Sequence, residues 1–141
     1  MKIKLLSDKA RVPTKSNSGD AGFDLYSPVN VVIKPGEYKL IKLDIAITEF
    51  PLGTYGRIAP RSGLGLKGVQ VFAGVIDSTY QGNIGVILCV NVNAETLNID
   101  VGDRVAQLIF ERYEPNISFE IVEEFDQMTK RGSDGFGSTG I

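Results

Sequence analysis

The sequence predicts an all-β domain, a sandwich or barrel with jelly-roll types included. Short apolar runs alternate with polar residues at period two, and Gly- or Pro-containing turns separate them at regular intervals. No amphipathic stretch is long enough for a standard helix. Roughly ten short strands fit that pattern. The 141 residues suit one domain, and 43% hydrophobic content allows a real core.

Taken in order, Met1 to Leu6 alternates Lys with Ile and Leu, as a half-buried strand does. Arg11 to Asp20 is polar, contains Pro13 and Gly19, and reads as a surface loop. Ala21 to Tyr26 is a short strand carrying one acid, Asp24, between apolar neighbours. Val29 to Ile33 follows and ends at the turn pair Pro35-Gly36. Tyr38 to Leu43 and Ile45 to Thr48 keep the period, and Pro51-Leu52-Gly53 is the next turn. Tyr55 to Ala59 leads into Pro60 to Gly68, where one short helical turn after Ser62 is the most that the pattern allows.

Val69 to Ala73 feeds the stretch Gly74 to Leu88, which reads as a β-hairpin. One apolar arm arrives at Asp77, a polar loop carries Ser78, Tyr80, Gln81, Gly82 and Asn83, and a second apolar arm leaves. Leu97, Ile99 and Val101 alternate before the turn Gly102-Asp103. Arg104 to Arg112 fits helix and strand alike, and its β context favours the strand. Ile117, Phe119 and Ile121 alternate as a last strand. The chain then divides into a body, 1–129, and a flexible arm, 130–141, of whose twelve residues four are glycine.

Composition narrows the chemistry. Lys plus Arg is 15 and Asp plus Glu is 17, a net charge of −2, so no basic surface grips a nucleic-acid backbone. No histidine is present, which removes Ser-His-Asp and Cys-His catalysis and His-ligated zinc. A hydrolase of this composition uses a carboxylate as its general base. The lone cysteine, Cys89, sits in an apolar run and is expected in the core, compatible with a reducing, intracellular compartment. No run reaches transmembrane length, and the apolar part of the N-terminus is too short for a signal peptide.

Two G-x-G-x-x-G spellings, starting at Gly63 and Gly135, open no long helix and so lack the context of a dinucleotide fold. The stronger signals combine glycine with arginine and hydroxyls. Arg61-Ser62-Gly63 brings a guanidinium, a hydroxyl and open amides together, and the tail repeats that inventory with Arg131, Ser138 and Thr139. Asp24 is suited to Mg²⁺ or its waters, since that ion often takes one carboxylate plus substrate phosphates. Gly74 and Gly85 leave main-chain groups open to a flat ligand, with the Asp77 carboxylate and the Tyr80 ring nearby. Singly, each has a plainer reading: a decorated hairpin, an edge aspartate, a surface ion pair. Together they describe a site for a planar base carrying several phosphates.

Five segments in order resemble the motifs of the trimeric dUTPase family: Ala21-Gly22-Phe23-Asp24-Leu25-Tyr26, Pro60-Arg61-Ser62-Gly63-Leu64, Gly74 to Gly82, Gly102 to Ile109, and Arg131 to Gly140. The resemblance covers nearly the whole chain. It implies a jelly-roll subunit, a homotrimer with active sites shared at its interfaces, and Mg²⁺-dependent hydrolysis of dUTP to dUMP and pyrophosphate. It implies that Asp77 activates the attacking water and that Tyr80 packs under the deoxyribose, where a 2′-hydroxyl collides. Gly74, Ile76 and Gly85 would form the uracil site, Arg61, Ser62, Gly63 and Gln107 would hold phosphates, and Asp24 would reach Mg²⁺ through water. In the arm, Arg131 would meet the γ-phosphate and Phe136 would close over uracil, with Gly137, Ser138 and Thr139 completing the substrate contacts.

The sequence departs from that pattern at Thr79, Gln81 and Asp134, where many relatives carry an acid, an arginine and a glycine. Two rivals share the scaffold. A dCTP deaminase would carry a glutamate base on the strand leaving the loop, and Gly85 to Val90 contains no acid. A non-catalytic nucleotide sensor would have no need to keep Asp77, Arg131 and Phe136 together.

Overall fold

The computed structural model describes residues 1–125, 127 and 129–134. Among them run eleven strands and one helical turn: β1 (Lys2–Leu5), β2 (Phe23–Tyr26), β3 (Val31–Ile33), β4 (Tyr38–Lys42), β5 (Ile45–Glu49), β6 (Thr54–Ala59), α1 (Ser62–Gly65), β7 (Val69–Phe72), β8 (Val75–Ile76), β9 (Gly85–Val90), β10 (Leu97–Ile99) and β11 (Arg104–Arg112). The all-β expectation and the single turn after Ser62 hold, and Arg104–Arg112 is a strand. No helix among the described residues is long and apolar enough to cross a membrane.

The strands form sheets in the orders β2-β11-β6-β8, β4-β9-β7, β1-β5 and β10-β3. Partners are antiparallel and mostly distant in sequence, as in a jelly roll. β9 shows how the pattern builds the core. Val86, Leu88 and Val90 are fully buried, and Gly85, Ile87 and Cys89 turn to the other face. Leu25, Ile33, Ile41, Val105 and Leu108 meet the same core, each burial contributing about 1.5–3 kcal/mol relative to exposure. Phe110 packs edge-on to both Phe23 and Phe50, with ring centroids 6.0 and 5.7 Å apart.

Three expectations are corrected. Gly74 to Leu88 is not a hairpin: β8 pairs with β6, while β9 lies between β4 and β7. The chain changes sheets because Ala73 and Gly74 take positive φ, 58° and 118°, immediately after β7. Only glycine fits at 74, since a Cβ there would stand 2.7 Å from the Ile58 carbonyl oxygen. Residues 117–121 form no strand, and Ile117, Phe119 and Ile121 are 65%, 96% and 97% exposed. Period-two patterning prepares a strand, but no strand of the described chain pairs with it there. Cys89 is half-buried rather than core, because the register of β9 turns it outward.

Candidate active site

One cleft gathers much of the predicted polar inventory. β11 lies between β2 and β6, and its register sets Gln107 opposite Asp24 on one side and Ala59 on the other. Two residues past Ala59 the chain reaches Arg61 and turns into α1, bringing Ser62 and Gly63 to the same place. Asp24, Arg61, Ser62, Gly63 and Gln107, with Asp20 at the rim, line a cleft of about 350 Å³.

Two arginines hold the Asp24 carboxylate. Arg61 Nε donates to Oδ1 at 3.0 Å and Arg104 Nη1 to Oδ2 at 3.3 Å. A further bond from Arg61 Nη1 to the Arg104 carbonyl, at 3.4 Å, fixes the guanidinium plane. The Asp24 side chain is only 15% exposed and that of Arg61 29%, so solvent screens this pair less than a surface one. Arg61 has five N–H donors and uses two in these contacts, leaving capacity for an anion. Gln107 Nε2 donates to the Pro60 carbonyl at 2.8 Å. Its amide lies against Gly22, where a Cβ would approach Gln107 Oε1 to 2.2 Å. Glycine at 22 is therefore a condition for this Gln107 rotamer.

Asp77 and Tyr80 lie elsewhere. Val75 pairs with Arg57 and Ile76 with Gly56, so Asp77 leaves β8 toward the Thr54 end of β6. Arg61 leaves β6 by its other end. Asp77 falls opposite Tyr55, six steps of near-extended chain from Arg61, and at about 3.3 Å per step their positions are about 20 Å apart. Asp77 is exposed, and the Tyr80 N–H donates to its carbonyl at 2.9 Å. The Ser78 and Tyr113 hydroxyls stand 3.5 Å apart. Beneath this segment Tyr55 Oη and Arg57 Nε both donate to Glu111 at 2.6 Å. The bond from Tyr55, then that from Arg57, holds the Glu111 carboxyl below its ordinary pKa, and the bond to Glu111 raises that of Tyr55.

Gly74 and Gly85 face one another across a fork. The β7–β9 ladder ends at Phe72 opposite Ile87; continued by two residues it would pair Gly74 with Gly85. Instead the chain turns away at Gly74, whose carbonyl accepts from Ile58 N at 2.8 Å. Ile76 follows on the diverging branch, half-buried. The two glycines, expected on the two arms of one hairpin, thus stand where two strands part.

Arg131 is exposed, and its Nε donates to the Asp134 carbonyl at 3.0 Å, within its own segment. Phe136, Gly137, Ser138 and Thr139 lie outside the described residues. The structure adds residues that sequence reasoning did not select: Arg104 on Asp24, the Tyr55–Arg57–Glu111 group, and Asp44, whose backbone N–H and carboxylate meet the Asn83 side chain. Arg104 stood within the Gly102 to Ile109 motif, but nothing in the sequence marked Asp44.

Comparison with known proteins gives the family. The dUTPase family model matches residues 8–140. The deoxyuridine 5'-triphosphate nucleotidohydrolases of cowpox virus (strain GRI-90 / Grishak) and vaccinia virus (strain Copenhagen) are each 52% identical over 136 residues, 96% of this chain and 89% of the relative. Among solved structures, the dUTPase of Staphylococcus bacteriophage 80alpha with dUPNHPP superposes with a TM-score of 0.87 at 32% identity, covering 99% of this chain and 98% of that one. A mutant dUTPase of phage phi11 of S. aureus, described for its coordination of a structural Mg(II) ion, gives a TM-score of 0.78 at 30% identity, covering 89% of this chain and 98% of that one. The chain belongs to the dUTPase family.

Proposed function

We propose that this enzyme hydrolyses dUTP to dUMP and pyrophosphate with Asp77 as the general base. The observation that carries the phosphate side of this reading is the convergence of Arg61, Ser62, Gly63 and Gln107 on one cleft. Water attacks the α-phosphorus and gives a proton to the Asp77 carboxylate. The bond to the oxygen bridging the α- and β-phosphorus breaks, and pyrophosphate leaves with the electron pair. With histidine absent, the carboxylate takes the base role by chemistry as well as by family resemblance. Arg61 and the donors of the Ser62–Gly63 turn offset the charge of the phosphates. The Gly74–Gly85 fork, with Ile76, supplies main-chain partners for the uracil edge, and Tyr80 lies beneath the sugar.

Mg²⁺ fits the cleft in one manner. No group of three or more acid, histidine or cysteine residues suited to a metal occurs among the described residues, and both Asp24 oxygens already accept from arginine. That arrangement does not make a cage of direct ligands. It does suit an ion that keeps its waters and takes its other oxygens from the substrate, with Asp24 accepting from one of those waters. Bound so, the ion offsets phosphate charge. The chain's own residues orient the phosphates and remove the proton.

The functional unit we propose is a homotrimer with sites at its interfaces. One chain places Asp77 and Arg61 at opposite ends of β6, so a second copy must bring its cleft to the first copy's Asp77. The exposed apolar residues Ile117, Phe119 and Ile121 fit the same picture, since they need a partner to cover them. Residues 130–141 form the arm that closes the site, with Arg131 on the γ-phosphate and Phe136, Gly137, Ser138 and Thr139 over the nucleotide. The single cysteine suits an intracellular, reducing compartment.

The test compares pyrophosphate release from dUTP, dCTP, dTTP and UTP with Mg²⁺ present. Release selective for dUTP is expected; equal release from dCTP or UTP would sink the base or sugar assignment. A second experiment addresses the cleft. Gly22→Ala is expected to push the Gln107 amide off Pro60 and to raise KM for dUTP by about tenfold, a loss of about 1.4 kcal/mol in binding. An unchanged KM would remove Gln107 from the phosphate site.

A further inference from the structure

We infer that the reciprocal pair Asp44–Asn83 positions Tyr80, and so sets how strictly the site demands a 2′-deoxy sugar. The inference rests on the reading that Tyr80 packs beneath the deoxyribose. Asp44 lies between β4 and β5, flanked by Leu43 and Ile45, each 1% exposed. Leu43 N donates to the Ile84 carbonyl and Ile84 N to the Ile45 carbonyl, both at 2.9 Å, so Asp44 is bracketed by two main-chain bonds to one residue. Its φ of 56°, tolerated by aspartate, turns its N–H and side chain toward Asn83. Asp44 N donates to Asn83 Oδ1 at 3.0 Å, and Asn83 Nδ2 donates to Asp44 Oδ1 at 2.9 Å. Both residues are half-buried.

This pair fixes the peptide that Tyr80 uses. Tyr80 Oη donates to the Asn83 carbonyl at 3.2 Å, folding the ring back over Gly82. A Cβ on Gly82 would stand 2.4 Å from that hydroxyl, so the folded ring requires glycine there. At the other end of the loop, Tyr80 N donates to the Asp77 carbonyl at 2.9 Å. The ring that meets the sugar is thus tethered at its backbone and its hydroxyl, and the hydroxyl's anchor is held by Asp44. Rejecting a single added hydroxyl depends on a surface that does not yield, because a pocket that relaxes accommodates it. Asp44 and Asn83 are positioning residues: they act on the sugar through Tyr80.

The readout is the ratio of kcat/KM for dUTP to that for UTP. Variants that are merely less stable lose both substrates in proportion, and the ratio stays put. Asn83→Asp alone sets two carboxylates against each other, and the ratio is expected to fall by about tenfold. Combined with Asp44→Asn, donor and acceptor exchange places, the pair re-forms, and the ratio is expected to recover to within about twofold. Gly82→Ala displaces the ring without touching either side chain and is expected to lower the ratio similarly, which serves should Asn83→Asp fail to fold. An unchanged ratio in either single variant, or no recovery in the exchanged pair, overturns the inference. Tyr80→Leu separates the two levels. If it lowers the ratio while Asn83→Asp does not, the positioning role falls alone; if it leaves the ratio unchanged, the sugar reading of Tyr80 falls as well.

Discussion

Asp77→Asn is expected to lower kcat for dUTP by about 10²–10⁴-fold while leaving nucleotide binding within about twofold. The amide has the size of the carboxylate and cannot take the proton from water. Asp77 is exposed, and its carboxylate makes no hydrogen bond or ion pair among the described residues, so the substitution removes no support from the fold. Thermal stability should therefore not move, and the entire effect should appear in turnover. Single-turnover pyrophosphate release, set beside calorimetric binding of a non-hydrolysable dUTP analogue, separates the two quantities. Turnover near the parent rate would show that another group accepts the proton. Weaker binding with unchanged turnover would recast Asp77 as a substrate contact.

What the sequence made legible was local. Arg61, Ser62 and Gly63 are consecutive, so their shared position at the mouth of the cleft needed no knowledge of tertiary structure. Asp24 and Gln107 required the β2–β11 register to become neighbours, yet each stood in a recognisable segment. The Gly74 to Leu88 stretch was misread because period-two alternation says that a run is a strand and says nothing of its partner. Both arms satisfied the pattern while pairing with β6 on one side and with β4 and β7 on the other. The deciding feature was the pair of positive-φ residues, Ala73 and Gly74, and only the glycine hinted at it.

The run through Ile117, Phe119 and Ile121 failed for a related reason. Its apolar residues are patterned for burial, but the described chain provides no strand to pair with them. Cys89 followed the average of its neighbours rather than the face that its register assigns. The Asp44–Asn83 pair spans 39 residues and has no local signature, so only the folded chain reveals it.

Mixing two inactive variants should restore activity if, as proposed, the Asp77 of one chain serves the Arg61 cleft of another. Arg61→Gln removes the guanidinium that lines the cleft and is proposed to meet the phosphates. Asp24 keeps Arg104 as a partner, so the cost to the fold should be about 1 kcal/mol. Turnover should nonetheless fall by at least about 10²-fold, because a planar, charged clamp on phosphate is lost. Asp77→Asn is inactive for an independent reason. If each site takes Asp77 from one chain and Arg61 from another, chains mixed at equal amounts and reassembled will include sites with both residues intact. Random assembly makes these about one quarter of all sites, and about one quarter of the parent activity should return. Sites built within a single chain would give none, since every chain in the mixture carries one defect. Native mass spectrometry run alongside confirms that mixed assemblies have formed. A silent mixture of confirmed hetero-assemblies would place Asp77 and Arg61 in the same chain's site, and β8 would then have to leave β6 on substrate binding to close a gap of about 20 Å.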